Sequence, residues 1–188
     1  VRILVEIKGE DMTRSLERDI VAHLTHDEGV SMEKIRNAGF KVRHIANSFR
    51  CRFVKTQEEY EEVLKLRFAA YAAAGKLPDG AGLEMVIAPL DKISRILVAF
   101  HGDKIVASVA MAFPDSDDIV LDTERPLANG YEGKAPRKTE CIEIARLCTA
   151  RDYRGGDLLL RMFEHIYRVF ASSDRKYLIS STDDKLWP

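Results

Sequence analysis

Apolar positions change period several times along the chain, and the changes mark out its elements. Residues 1–8, VRILVEIK, alternate imperfectly, which suits a short strand or a helix start, whereas Leu16, Ile20 and Leu24 recur at helical spacing within 11–25. In SMEKIRNAGF, Ser31 is followed three residues later by Lys34 instead of an acidic capping partner, and Gly39 is a natural stop. Residues 1–48 therefore read as a helical preface that covers the main fold. RCRFV at 50–54 has strand composition. Thr56 with Glu59 has the form of a capping box, opening the helix EEYEEVLKLRFAAYAAAG, with Tyr60, Val63, Leu64, Arg67, Phe68 and Tyr71 on neighbouring faces and Gly75 near its end.

Beyond KLPDGAG (76–82), a turn or loop beside which a substrate can enter, the period falls to two. ISRILVAF (93–100), HGDK (101–104) and IVASVAMAF (105–113) form the clearest hairpin, because Gly102 and Asp103 separate two apolar runs. A short strand is expected at 119–121. The polar, turn-rich stretch 122–139 is expected to be a long loop that closes over a substrate. Residues 141–149 make a further strand, then Leu159, Met162, Phe163, Ile166 and Phe170 draw a helical stripe, and KYLIS (176–180) returns as a strand parallel to 141–149. A β-α-β unit joined to antiparallel strands implies an α/β fold of the α+β type with a mixed sheet, whose recognisable core spans 50–180.

Composition narrows the picture. A chain of 188 residues and 21.3 kDa suits one domain, 1–188. A formal net charge of -1 gives no support to a nucleic-acid partner. No apolar run approaches a membrane span and no basic-then-apolar leader is visible, so a cytoplasmic protein is expected. Cys51, Cys141 and Cys148 lack C-x-x-C spacing and read as buried thiols, and His23 and His26 have no third ligand nearby, so neither a disulfide framework nor a metal is expected.

Candidate chemistry concentrates in CIEIARLCTARDYRGG. Glu143 and Arg146 are charged groups in an apolar strand, and burying them is costly unless something pairs with or uses them. Strict alternation puts Glu143 on one side with Cys141, Ala145 and Leu147, and Arg146 on the other with Cys148, unless a bulge changes the phase. The DYRGG turn offers successive backbone N–H groups beside a helix start, which suits a phosphate; Arg151, Arg154, Gly155 and Gly156 are the candidate donor-site residues. Arg67 is either a surface cation whose stem covers apolar area or an inward guanidinium holding Asp91 or Glu143. Cys148 is a nucleophile candidate without a histidine activator, for which the alternative is an inert buried thiol. Val109, Met111 and Phe113 either border an apolar tunnel or fill the core.

LKLRFAAY (64–71), LDKISRILVAFHGDKIVAS (90–108) and IEIARLCTARDYRGG (142–156) together resemble the Gcn5-related N-acyltransferase superfamily. Within it the similarity is to bacterial long-chain N-acyl amino acid synthases, related in fold to the acyl-homoserine lactone synthases. The first segment is similar to their L-R-x-x-x-aromatic signature, the second to their acidic residue, strand and hairpin, and the third to their E-x-S-R strand and acyl-donor loop. Two departures refine it. RGGDLL stands where ordinary acetyltransferases carry R-x-x-G-x-G/A, which is closer to the carrier-using relatives. SVAMAF lacks the arginine of the lactone synthases, which weighs against S-adenosylmethionine. The superfamily usually continues through a further helix and strand, so the ending DDKLWP reads as a truncation.

The resemblance implies transfer of a long-chain fatty acyl group from the phosphopantetheine of acyl carrier protein, or from acyl-CoA, to the α-amine of an amino acid. The acceptor would be aromatic, such as tyrosine, giving N-acyl tyrosine. Glu143 is then the catalytic base, and Arg67, Tyr71, Asp91, Val109, Met111, Phe113 and Arg146 contact substrate, with no tightly bound cofactor and no metal. Two other readings stay open: a short-chain acyl-CoA-dependent N-acetyltransferase, and a non-catalytic acyl- or CoA-binding module.

Overall fold

The computed structural model describes residues 2–5, 49–124, 135–154 and 158–182. In chain order these form β1 (Arg2–Val5), β2 (Phe49–Phe53), α1 (Gln57–Ala73), β3 (Ser94–His101), β4 (Lys104–Ala112), β5 (Cys141–Thr149), α2 (Leu158–Ala171) and β6 (Tyr177–Thr182), with short 3₁₀ turns between them. The six strands make one sheet in the order β1-β6-β5-β4-β3-β2. All neighbours are antiparallel except β5 and β6, which are parallel across α2 as the spacing predicts. Of the helical preface expected over 1–48, residues 2–5 are a strand paired with β6, and 6–48 lie outside the described residues. The short strand expected at 119–121 does not form; these residues lead into a turn at 122–124.

Local chemistry sets the boundaries. Thr56 Oγ1 accepts from Glu59 N at 3.3 Å, while the Glu59 carboxylate accepts from Lys55 N and grips Arg52, so the box closes one residue earlier than the Thr56/Glu59 reading implies. At the other end of α1, Gly75 adopts φ +64, its N–H bonds Ala72 O, and Lys76 N bonds Tyr71 O, which together make a Schellman cap. The β3–β4 connection is a tight hairpin in which Gly102, at φ +60, takes the first turn position.

The helices lie on opposite faces of the sheet. Ile96, Val98 and Phe100 pack towards α1 with Val63, while Leu97, Ala99, Val109, Met111 and Ile142 pack towards α2 with Leu158, Met162, Ile166 and Phe170. The inward stripe of α2 is therefore 158-162-166-170, an i, i+4 row, and Phe163 stands 50% exposed outside it. Met162 is enclosed at the centre of this layer. Met162→Ala is expected to cost about 2–5 kcal/mol through lost burial and the cavity left behind, measured by urea denaturation, with little effect on the α1 face.

Candidate active site

β5 carries the site because two irregularities fall on it. Its pairing with β6 runs only from Cys141–Tyr177 to Glu143–Ile179, after which the strands part while β5 continues to Thr149. Beyond Glu143 the β6-facing backbone of β5 has no strand partner among the described residues. On its other side, β5 pairs with β4 through Ala145–Ala110, then resumes at Cys148–Ser108, so Arg146 and Leu147 both oppose Val109. This is a β-bulge, and Arg146 takes φ 55 within it, a left-handed conformation that a non-glycine residue rarely holds without a structural reason. The bulge shifts the phase that alternation predicts. Cys148 moves to the Glu143 face, and the Arg146 side chain reaches the same turn that holds Glu143.

That turn is residues 122–124. Glu143 is 0% exposed, and its oxygens accept from Thr123 N at 2.6 Å and Asp122 N at 3.1 Å. Burial pushes its pKa above the ordinary 4.5; the Thr123 and Asp122 hydrogen bonds pull back only in part, and the Asp122 charge adds to the rise. Arg146 binds the Asp122 carboxylate through Nε at 3.1 Å and a terminal nitrogen at 2.9 Å, and also interacts with the Tyr71 hydroxyl. Burial is the largest influence on Tyr71 and raises its pKa. The bulge thus links Glu143 and Arg146, which strict alternation put on opposite faces, through Asp122, and Tyr71 joins them through Arg146. Asp122 and Thr123, which hold them, were read only as loop; the polar DTE after an apolar run was the sole signal.

Arg67 is an inward guanidinium, 0% exposed, which overturns the surface-cation alternative. Its partner is Asp91, not Glu143: the terminal nitrogens reach the two Asp91 oxygens at 2.6 and 3.0 Å, and Tyr60 and the Ala88 amide complete the carboxylate. Burial pushes the Asp91 pKa up, but Arg67 and the other donors outweigh it and leave it below its usual value. Val109 and Met111 are wholly enclosed in the α2-facing core and Phe113, partly buried, packs against the same cluster, which is the core-filling one of the two readings open for these residues. A cleft of about 940 Å³ opens elsewhere, lined among others by Phe53, Tyr60, Ile87, Asp91 and Arg95; it shares Asp91 with the Arg67 pair but includes neither Glu143 nor Arg146.

Of the residues expected at a donor site, Arg151 and Arg154 are exposed in the turn after β5, and Gly155 and Gly156 lie outside the described residues. The turn is anchored by Ala150 N to Val106 O at 2.8 Å and by Tyr153, whose hydroxyl lies 3.0 Å from His101 Nδ1 and whose ring meets Phe49 edge-on. Cys148 is buried in the described structure. Desolvation raises its thiol pKa despite the opposing charges of Arg67, Arg146, Lys76 and Arg154, which leaves it a poor nucleophile.

Breaking a buried ion pair from one side leaves an uncompensated charge. Arg67→Met or Asp91→Leu alone is expected to cost about 3–5 kcal/mol, and the double variant less than the sum of the two, in a urea-denaturation double-mutant cycle. Glu143 has the opposite pH signature to Asp91. Its folded pKa lies above 4.5, so the folded state retains a proton the unfolded chain has released, and stability should fall as pH rises from 4.5 through the folded pKa. Glu143→Gln should remove that component from the pH dependence of the melting temperature.

No family model matches this chain, and no curated protein matches it in sequence. Solved structures do match. A predicted acetyltransferase from Clostridium acetobutylicum, solved with acetyl-CoA, is 12% identical with a TM-score of 0.52, over 74% of this chain and 84% of that one. FeeM, an N-acyl amino acid synthase from uncultured soil microbes, is 13% identical with a TM-score of 0.50, over 73% and 72%. At this identity the likeness shows the fold, which is that of the Gcn5-related acyltransferases.

Proposed function

We propose that the protein is an N-acyltransferase that moves a long-chain acyl group from a phosphopantetheine thioester to the α-amine of an amino acid. The observation that carries this reading is the enclosed Glu143 carboxylate, with its raised pKa, at the point where β5 and β6 part. The β5 backbone beyond Glu143, without a β6 partner among the described residues, offers amide and carbonyl groups to an extended pantetheine arm, much as an added strand would use them. Arg151 and Arg154, exposed in the turn after β5, take the phosphate end of that arm.

The α-amine of an amino acid is mostly protonated at neutral pH and must lose a proton to attack. Glu143 accepts that proton, and a carboxylate whose pKa is lifted towards the working pH is better matched to this task than an ordinary one. Because the 122–123 turn covers the carboxylate, the proton reaches it through water or the Thr123 hydroxyl, which itself bonds Glu143. The amine nitrogen then adds to the thioester carbonyl, backbone N–H groups at the fork stabilise the oxyanion, and collapse breaks the C–S bond, the departing pantetheine thiolate taking up the proton that the new amide nitrogen sheds. Tyr71, beside Arg146, suits an aromatic acceptor. The acyl-carrier-protein donor and the tyrosine acceptor rest on the sequence resemblance alone; FeeM, whose fold is similar, is itself an N-acyl amino acid synthase.

Glu143→Gln is expected to lower kcat/KM about a hundredfold or more, with donor binding little changed, in a protein whose circular dichroism stays native. The acid limb of the wild-type pH profile should lie above 4.5. Unchanged turnover would remove Glu143 as the base. Mass spectrometry of products from long-chain acyl carrier protein and mixed amino acids, with acyl-CoA and acetyl-CoA in parallel, tests the substrates. An N-acyl amino acid formed from the carrier supports the proposal; an acetylated amine formed only from acetyl-CoA replaces it with the short-chain reading.

A further inference from the structure

We propose that Asp122 is a positioning residue for this reaction: its backbone N–H anchors one oxygen of Glu143 while its carboxylate fastens the Arg146 bulge, so one turn residue fixes both the place and the charge environment of the carboxylate. The proposal rests on the reading of Glu143 as the base. Three independent features meet at this residue. Asp122 N lies 3.1 Å from Glu143 Oε2, Asp122 Oδ2 receives Arg146 Nε at 3.1 Å and a second guanidinium nitrogen at 2.9 Å, and Arg146 holds its left-handed φ of 55 at the bulge. An arginine in that conformation is strained, and a two-point ion pair to a half-buried carboxylate is a sufficient reason for it to persist.

The turn that carries Asp122 is itself braced. Glu124 accepts from Leu121 N at 2.8 Å, and Lys138 reaches both Glu124 at 2.9 Å and the Ile119 carbonyl at 2.7 Å. Among the described residues, Cys141 feels the Glu143 charge along β5, while Tyr71, Arg67 and Cys148 lie about Arg146, with Asp91 held by Arg67. Asp122 is the neighbour whose negative charge acts on Glu143 in the same direction as burial. Arg146, being paired to Asp122, is partly neutralised as a competing influence. Removing the Asp122 charge therefore removes a repulsion and frees a cation, and both changes favour the ionised Glu143.

Asp122→Asn keeps the backbone N–H and an oxygen for Arg146 but not the charge; Asp122→Ala removes the side-chain tether as well. Carbon-13 NMR of labelled glutamate, with the Glu143 signal assigned from Glu143→Gln, should show Glu143 titrating at lower pH in Asp122→Asn than in the wild type. The acid limb of kcat/KM should move down with it, while Asp122→Ala should lose about ten- to a hundredfold in kcat at the pH optimum through misplacement of the base. A Glu143 titration that stays put or rises in folded Asp122→Asn would overturn the role given to Asp122. A titration that falls while the acid limb does not move would instead sink Glu143 as the base and leave the hold of Asp122 on that carboxylate standing.

Discussion

A carboxylate sealed from water in the middle of the sheet governs much of what surrounds it. Glu143 cannot stay there unless its oxygens are bonded, because an unpaired buried charge is far more costly than any single contact it displaces. The 122–123 turn supplies two backbone donors, and that turn has to be delivered from a distant part of the chain and held in place. Glu124, Lys138 and the Asp117 bonds to the amides of Lys138 and Thr139 do the holding. Arg175 adds bonds from beside β6 to the Pro114 and Thr139 carbonyls. The loops flanking this side of the sheet are thus organised around one charge that the core would otherwise reject.

The second buried charge is handled differently. Arg67 meets Asp91 in a bidentate fork, with Tyr60 and Ala88 N completing the acceptor, so α1 is tied to the 3₁₀ turn at 89–93 by a self-contained cluster. Asp91 keeps its proton affinity low because its partner is a full cation. Glu143 has only backbone dipoles, the Thr123 hydroxyl and a neighbouring anion, and burial lifts its proton affinity. Two buried carboxylates in one small domain are pushed in opposite directions by their surroundings, and the one pushed upward lies beside the opened strand edge. That division separates a group suited to orientation from a group suited to proton transfer.

The fork and the bulge on β5 serve the same end. A sheet with every edge paired has no free backbone to offer a ligand; the parting of β5 from β6 after Glu143 creates such an edge inside the molecule, and the bulge turns the next arginine back towards it. The enclosure of Val109 and Met111 keeps the α2 face dense behind this edge.

The sequence by itself determined β2 to β6, the two long helices, the β3–β4 hairpin and the parallel β5–β6 pairing, because each depends on periodicity, caps and turn residues that act within a few positions of one another, though it drew a strand at 119–121 that does not form. It also singled out Glu143, Arg146, Arg67 and Asp91, since charges among apolar neighbours stand out along a line of residues. Only the tertiary structure decided who meets whom. Asp122 and Thr123 reach Glu143 from about twenty positions away, Arg67 chooses Asp91, and a single extra residue at the bulge brings Cys148 onto the Glu143 face. Such pairings follow from the register of strands and the path of loops, where one residue of slip reverses a side chain, and no local pattern records that choice.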